Sequence, residues 1–372
     1  MLVDEYDKPI IDYIGTDLAQ AKENQQIMKT FYSVVKDADE YLRFVFITGV
    51  SRFSKVSIFS DLNNLNDITL KGQYAALVGY TLEEIRQYFP DRIKRLAAEE
   101  EVCEEEAMQL IERWYNGYHW KGEGKVCNPF SVLNLFDGLD FANYWFATGT
   151  PTFLIDLLKS HELYDLDGVE TGESVFESFQ VEKDFNLISL MYQTGYLTIK
   201  AFDKMTRTYT LGYPNLEVKS AFLEHLLGAY AGRYSSESIP EVVKVKKAFE
   251  ANDIERVMYL TNVMLKNVPY QIHEQTERFY HAIVHLMYFF LGVYIESEVC
   301  TSDGRADAVV QTETHVYCLE FKFNRSAEEA LEQIRKKNYL QKYGHSDKQL
   351  VGVGVNFSTE ARGINEWELI KL

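Results

Sequence analysis

The sequence predicts a mixed α/β protein of two domains, and three observations carry that expectation. The last third reads in the order helix, three strands, helix, strand, which is the pattern of a sheet with helices packed on it. The first part alternates apolar runs with capped amphipathic helices. The length of 372 residues, 46% of them hydrophobic, supplies more core material than one domain of ordinary size uses. The expected division is 1–230 and 240–372, with the Ser cluster and Pro of "AGRYSSESIPEVV" (Ala231–Val243) between them.

Taken in order, "YLRFVFITGV" (Tyr41–Val50) is a continuous apolar run ending in Thr-Gly, the pattern of a buried strand. "TLEEIRQYF" opens with Thr81 and places Glu84 three residues later, a capping box. The glutamate-rich "AEEEVCEEEAMQLIERWY" (Ala98–Tyr115) reads as one amphipathic helix with a solvated acidic face. From "LISLMYQTGYLTIKAFD" to "RTYTLGYPNLEVKSAFLEHLL" the pattern is helix, hairpin, helix. Further on, "ERFYHAIVHLMYFFLG" is a long apolar helix closed by Gly292. The strands "YIESEVC", "ADAVVQ" and "HVYCLEFKF" follow, then a helix from about Ala327 to Tyr343, then the strand "QLVGVGVNF". Ser326 followed by Glu329 predicts a second capping box at the start of that helix.

A formal net charge of −18 argues against nucleic-acid binding driven by the whole surface, though not against a local basic groove. Cys103, Cys127, Cys300 and Cys318 are far apart without a C-x-x-C pair, so neither a disulfide framework nor a zinc ribbon is expected and a reducing cytosol fits. "MLVDEYDKPI" is acidic where a secretion signal would be basic and then apolar. The most apolar stretch, Ala282–Ile295, is too short to span a bilayer and contains His285. These features predict a cytoplasmic protein. Its 25 Tyr and 23 Phe are expected in large cores or aromatic grooves.

The chemistry concentrates in "GRADAVVQTETHVYCLEFKFN" (Gly304–Asn324). Side chains alternate along a strand, so Glu320 and Lys322 point one way and Phe321 the other. A hairpin brings the strand of Asp307 beside that of Glu320, and two carboxylates converge with an ammonium next to them. Mg²⁺ or Mn²⁺ suits such a set, because hard cations take a few carboxylate oxygens together with water and substrate phosphate. The bland alternative is that Asp307 and Glu320 pair with Arg305 and Lys322 as surface ions.

Gly-Arg-x-Asp followed by Glu-Phe-Lys resembles the core of the PD-(D/E)XK nuclease superfamily, over roughly Glu277 to Phe357. The resemblance implies a restriction-endonuclease-like mixed sheet flanked by helices, with Asp307 and Glu320 as metal ligands and Lys322 assisting the water. It implies that Glu277, on the preceding helix, completes the metal site and that Gln333, on the following helix, supports it. Lys336, Lys337 and Lys342 add basic surface that could meet phosphates.

"VDEYDKP" (Val3–Pro9) resembles the end of a Walker B strand, with Asp4 and Glu5 as the acidic pair. "FVFITGVSRFSKVSIFSDLNNLNDI", "WYNGYHW" and "NPFSVLNLF" resemble blocks of a bacterial AAA-ATPase-like family that carries the same PD-(D/E)XK domain at its C-terminal end. That resemblance covers most of residues 1–225 and implies a partial P-loop-NTPase-like fold with a helical region. The chain departs from the family in having no G-x-x-x-x-G-K-[ST] loop, so it is expected to start inside the ATPase core and not to hydrolyse ATP.

Other polar residues have plainer readings. His281 and His285 share a helix face at i, i+4, yet on so apolar a helix they read as packed histidines; His119 reads as part of an aromatic cluster. Ser51 and Arg52 are either sensor-like or an ordinary polar loop. The function expected is Mg²⁺-dependent hydrolysis of nucleic acid, DNA first, by the C-terminal domain, possible as a homodimer. The alternatives are a catalytically inactive DNA- or protein-binding module of a defence or mobile-element system, and an NTP switch built on Asp4 and Glu5.

Overall fold

The structure is a computed structural model that describes every residue except 15–16, 51–57, 60–64, 122–123, 148–151, 162, 164–165, 177–185, 233–237, 269–276, 293–294 and 300–305. Its contacts divide the chain into two compact units, Met1–Lys219 and Ser220–Leu372.

In the first unit β1 (Leu2–Val3) lies parallel to β2 (Phe46–Ile47). Helices α1 (Lys8–Ile14) and α2 (Leu18–Asp37) pack here through Ile10, Ala21, Tyr32 and Val35. The strand expected over Tyr41–Val50 shortens to β2. Tyr41 sits in a 3-10 turn at 80% exposure and Phe44 is 62% exposed, and the strand facing this run is itself only two residues long.

Helix α3 (Leu82–Tyr88) carries the full Thr81–Glu84 capping box that the sequence predicts. The single glutamate-rich helix expected over Ala98–Tyr115 is instead two, α4 (Pro90–Glu99) and α5 (Glu104–Tyr115). Between them Glu101 takes a left-handed φ of 56°, and Cys103 caps α5 in a capping box with Glu106. With α6 (Pro129–Gly138) they enclose Ile85, Leu96, Ile111, Val132 and Leu135.

The rest of this unit holds the short β3 (Asn116–Tyr118) and β4 (Val126–Cys127), α7 (Tyr144–Ala147), α8 (Thr152–Ser160), β5 (Val169–Thr171), α9 (Leu187–Gln193), β6 (Thr198–Asp203) and β7 (Thr208–Gly212). The last three strands form a sheet in the order β5-β7-β6. His119 joins it by backbone and ring, its N–H donating to Thr198 Oγ1 at 2.8 Å.

Helix α10 (Leu216–Ala231) contains the point of division between the units, upstream of the Ser and Pro stretch. Pro240 lies in the first turn of α11 (Ser238–Glu250), where its missing N–H costs nothing.

The second unit adds α12 (Ile254–Lys266) and α13 (Glu277–Leu291), and Gly292 closes α13 as expected. Its mixed sheet comprises β8 (Glu296–Val299), β9 (Ala308–Gln311), β10 (His315–Phe323), β11 (Gln349–Ser358) and β12 (Gly363–Lys371), ordered β12-β11-β10-β9-β8. The pair β10–β11 is parallel and the other pairs are antiparallel.

Helix α14 (Ala327–Lys337) is the crossover between the two parallel strands. It packs on Val316, Cys318 and Val309 through Leu331 and Ile334. On the opposite face Tyr317 meets Phe249 of α11, and Phe321 meets Tyr288 of α13. The sheet is therefore covered on both sides, as parallel strands require. Helix α14 ends at Lys337 rather than near Tyr343, because Asn338 turns left-handed at φ 52°. Only half of its expected capping box forms. Ser326 accepts from the Glu329 N–H, while the Glu329 carboxylate lies 3.9 Å from Arg325.

Candidate metal and phosphodiester site

The register of β9 against β10 sets Ala308 opposite Leu319, and the chain entering β9 therefore delivers Asp307 next to Glu320. Asp307 Oδ2 accepts the Phe321 N–H at 2.7 Å, continuing the ladder by one side-chain bond. On β10 the alternation works as the sequence predicts. Glu320 and Lys322 face the α14 side, while Phe321 enters the aromatic layer under α13.

Lys322 Nζ donates to Glu320 Oε1 at 3.0 Å and to Gln333 Oε1 at 2.7 Å. An ammonium has three hydrogens and no acceptor, so two are used here, and the Gln333 atom facing it must be the oxygen. The Gln333 Nε2 then points to the Tyr339 hydroxyl, 3.1 Å away, which accepts. No motif in the sequence marks Tyr339. It reaches Gln333 because the chain reverses at Asn338.

Glu320 is 2% exposed, and its second oxygen, Oε2, is buried with no hydrogen-bond partner. Burial first, and then the Asp307 charge, push its carboxyl up to about 7 against the pull of Lys322. Asp307 is also raised, by burial, opposed by the Phe321 N–H, His281 and Lys322. The pair holds more negative charge than one ammonium offsets, so it favours a proton or a cation. An orphaned carboxylate oxygen beside a second carboxylate is what a hard divalent ion would satisfy. The residues present fit such an ion.

Among the described residues there is no cluster of three His, Cys, Asp or Glu side chains. Glu277 begins α13, but its side chain lies outside the described residues, as do Gly304 and Arg305. His285 is buried against Phe289, and burial, then His281, hold it down at about 3, so it stays neutral. Burial keeps the Cys318 thiol protonated.

A groove of about 580 Å³ opens from Lys322 along α14, lined by Arg325, Gln333, Lys336 and Lys337 with Glu329 and Glu332. Lys342 does not line it; its ammonium lies over the Tyr343 ring. In the first unit, Asp4 Oδ1 accepts from Thr48 Oγ1 at 2.6 Å and from the Glu5 N–H, while Glu5 is exposed with a left-handed φ of 49°. Asp7 is fully buried and accepts from the Val50 N–H. Ser51 and Arg52 lie outside the described residues.

The model of the PD-(D/E)XK nuclease superfamily matches residues 275–367, and that of a predicted AAA-ATPase family matches residues 1–59. The chain is 37% identical over 375 aligned positions to an uncharacterized protein in the vnfD 5' region of Azotobacter chroococcum mcd 1. The alignment covers 98% of the chain and 70% of that relative. The chain belongs to the AAA-ATPase-like proteins with a C-terminal PD-(D/E)XK nuclease superfamily domain. Membership supports nuclease-type activity, nucleic-acid binding in general and use of a divalent metal ion of the kind such nucleases take. No solved structure matches the chain. Among the described residues no helix is long and apolar enough to cross a membrane.

Proposed function

We propose that the second unit hydrolyses phosphodiester bonds of nucleic acid, DNA first, with Mg²⁺ or Mn²⁺ held by Asp307 and Glu320. The observation that carries this reading is the buried, partnerless Oε2 of Glu320 beside Asp307 and Lys322. A bound divalent ion supplies charge neutralisation at the phosphodiester and a more acidic water. Lys322 is held by Glu320 and Gln333 with its third hydrogen free to orient a water or steady charge developing on a phosphate oxygen. Gln333 fixes the lysine, Tyr339 fixes the amide, and Glu277 is a further candidate acid from α13. Arg325, Lys336 and Lys337 give the groove a positive wall for the phosphate backbone of a chain that is acidic overall.

Asp4 and Glu5 of the first unit are a Walker B-like pair, and ATP hydrolysis there would need a phosphate loop, which residues 1–372 do not carry. Labelled ATP retained with Mg²⁺ would revive the switch reading. A cytoplasmic location accords with scattered cysteines lacking a metal or disulfide spacing.

The test is calorimetric Mn²⁺ binding together with cleavage of labelled DNA and RNA, using wild type, Asp307→Asn and Glu320→Gln. Asparagine keeps an acceptor for the Phe321 N–H, so the fold is preserved while the charge goes. The expected result is loss of ion binding and of cleavage in both variants, with melting unchanged or raised. Cleavage at the wild-type rate by Asp307→Asn overturns the site. Ion-independent nucleic-acid binding with no cleavage selects the inactive-module reading.

A further inference from the structure

Strand β12 is the edge of the five-stranded sheet, and one of its two sides is satisfied by β11. The Leu372 N–H donates to Leu350 O across that ladder. By the alternation of an antiparallel pair, Ile370, Glu368 and Glu366 also address β11, and the backbone groups of Lys371, Leu369 and Trp367 point outward. At Asn365 the register shifts, so that Ile364 becomes outward-facing. Its N–H and C=O are both taken by the Asn262 side chain of α12, at 3.0 and 3.3 Å. The outer edge is thus closed at one end and, among the described residues, unpaired along Trp367, Leu369 and Lys371.

We propose that this edge is the surface through which two copies of the chain associate, β12 against β12, antiparallel about Leu369. An open edge of this length is a template for strand addition unless its side chains forbid it. The side chains select a second copy and one register. Outward residues must oppose outward residues. Centring on Glu368 sets two carboxylates face to face, and centring on Trp367 sets Glu366 against Glu368 twice, both repulsive. Centring on Ile370 also avoids like-charged side-chain pairs but sets Lys371 against Leu369, without an aromatic partner. Centring on Leu369 avoids them and gives the lysine one. It places Leu369, 46% exposed, against its own symmetry mate and Lys371 against the partner's Trp367, twice over, as a cation–π contact. The net charge of −18 on each copy opposes the approach, so association strengthens as salt screens it.

Pairing of this kind makes one continuous sheet with both candidate sites on the same face. The two β10 strands would lie five strand spacings apart, about 24 Å.

The experiment is sedimentation velocity on the full chain over a concentration series, at low and moderate salt, with wild type, Leu369→Pro and Lys371→Glu. Proline at 369 removes an outward N–H and leaves the ladder to β11 intact. The expected result is a dimer for wild type and a monomer for Leu369→Pro at the same concentrations, with an unchanged thermal melt. Lys371→Glu loses both cation–π contacts and weakens the dimer by about tenfold; it decides the matter if Leu369→Pro alters the melt. A wild type that stays monomeric at every concentration overturns the proposal, and so does a dimer that both variants leave unweakened.

Discussion

Glu320 has one oxygen on a lysine and another on nothing, in a site that Asp307 makes still more negative. Its carboxyl is raised to about 7, so the folded protein binds that proton more tightly than the unfolded chain does. The stability linked to the proton is fully present below the ordinary glutamate range and is lost as pH rises through about 7. In chelator, wild type therefore melts at a lower temperature at about pH 8 than at about pH 5.5, and Glu320→Gln reduces that fall. Mn²⁺ replaces the proton, so it raises wild-type melting most at the alkaline end and does little for Glu320→Gln. Thermal melts at the two pH values, with and without Mn²⁺, check this. A variant whose melting falls with pH as steeply as wild type would place the burden on another carboxyl.

At the scale of elements, the site depends on how closely α14 lies on the sheet, and Gly354 of β11 sets that distance. A Cβ there would collide with the Ala327 carbonyl oxygen and come within 3.0 Å of Leu331 and 3.1 Å of Ala330. Gly354→Ala must lift the start of α14, which carries Gln333, and is expected to cost about 1–3 kcal/mol. Gly352→Ala meets only side-chain carbons of Ile370 and Ile334, at 3.1 Å and beyond, and is expected to cost less. Melting curves rank the two, and cleavage should fall further in Gly354→Ala than its lost stability explains. Equal effects would mean that α14 is free to shift. The sequence made β9, β10 and the shared face of Glu320 and Lys322 legible, because a period of two leaves no other arrangement. It hid Tyr339. Six residues past Gln333 on a continuing helix, Tyr339 would point away, and only the left-handed Asn338 brings it back. It hid Cys103 as well, since a thiol is a rare helix cap, and β12, whose exposed, charge-bearing residues mask the alternation of a strand.

At the scale of the whole molecule, carboxyls raised by burial occur in both units. Glu217 belongs to Met1–Lys219, where it accepts from Ser131 Oγ and the Trp145 N–H and is pushed up to about 7; Glu320 belongs to Ser220–Leu372. Both units should lose stability as pH rises through about 7, and the second holds the Asp307–Glu320 pair that an ion could bridge. If the units unfold separately, calorimetry in chelator resolves two transitions that both move down between about pH 5.5 and 8. Mn²⁺ then raises one of them, by an amount that grows with its concentration, and leaves the other in place. Asp307→Asn abolishes that response without moving the unresponsive transition. One transition that shifts as a whole with Mn²⁺ would instead show that the units melt together, with α10, which runs through the division, coupling them.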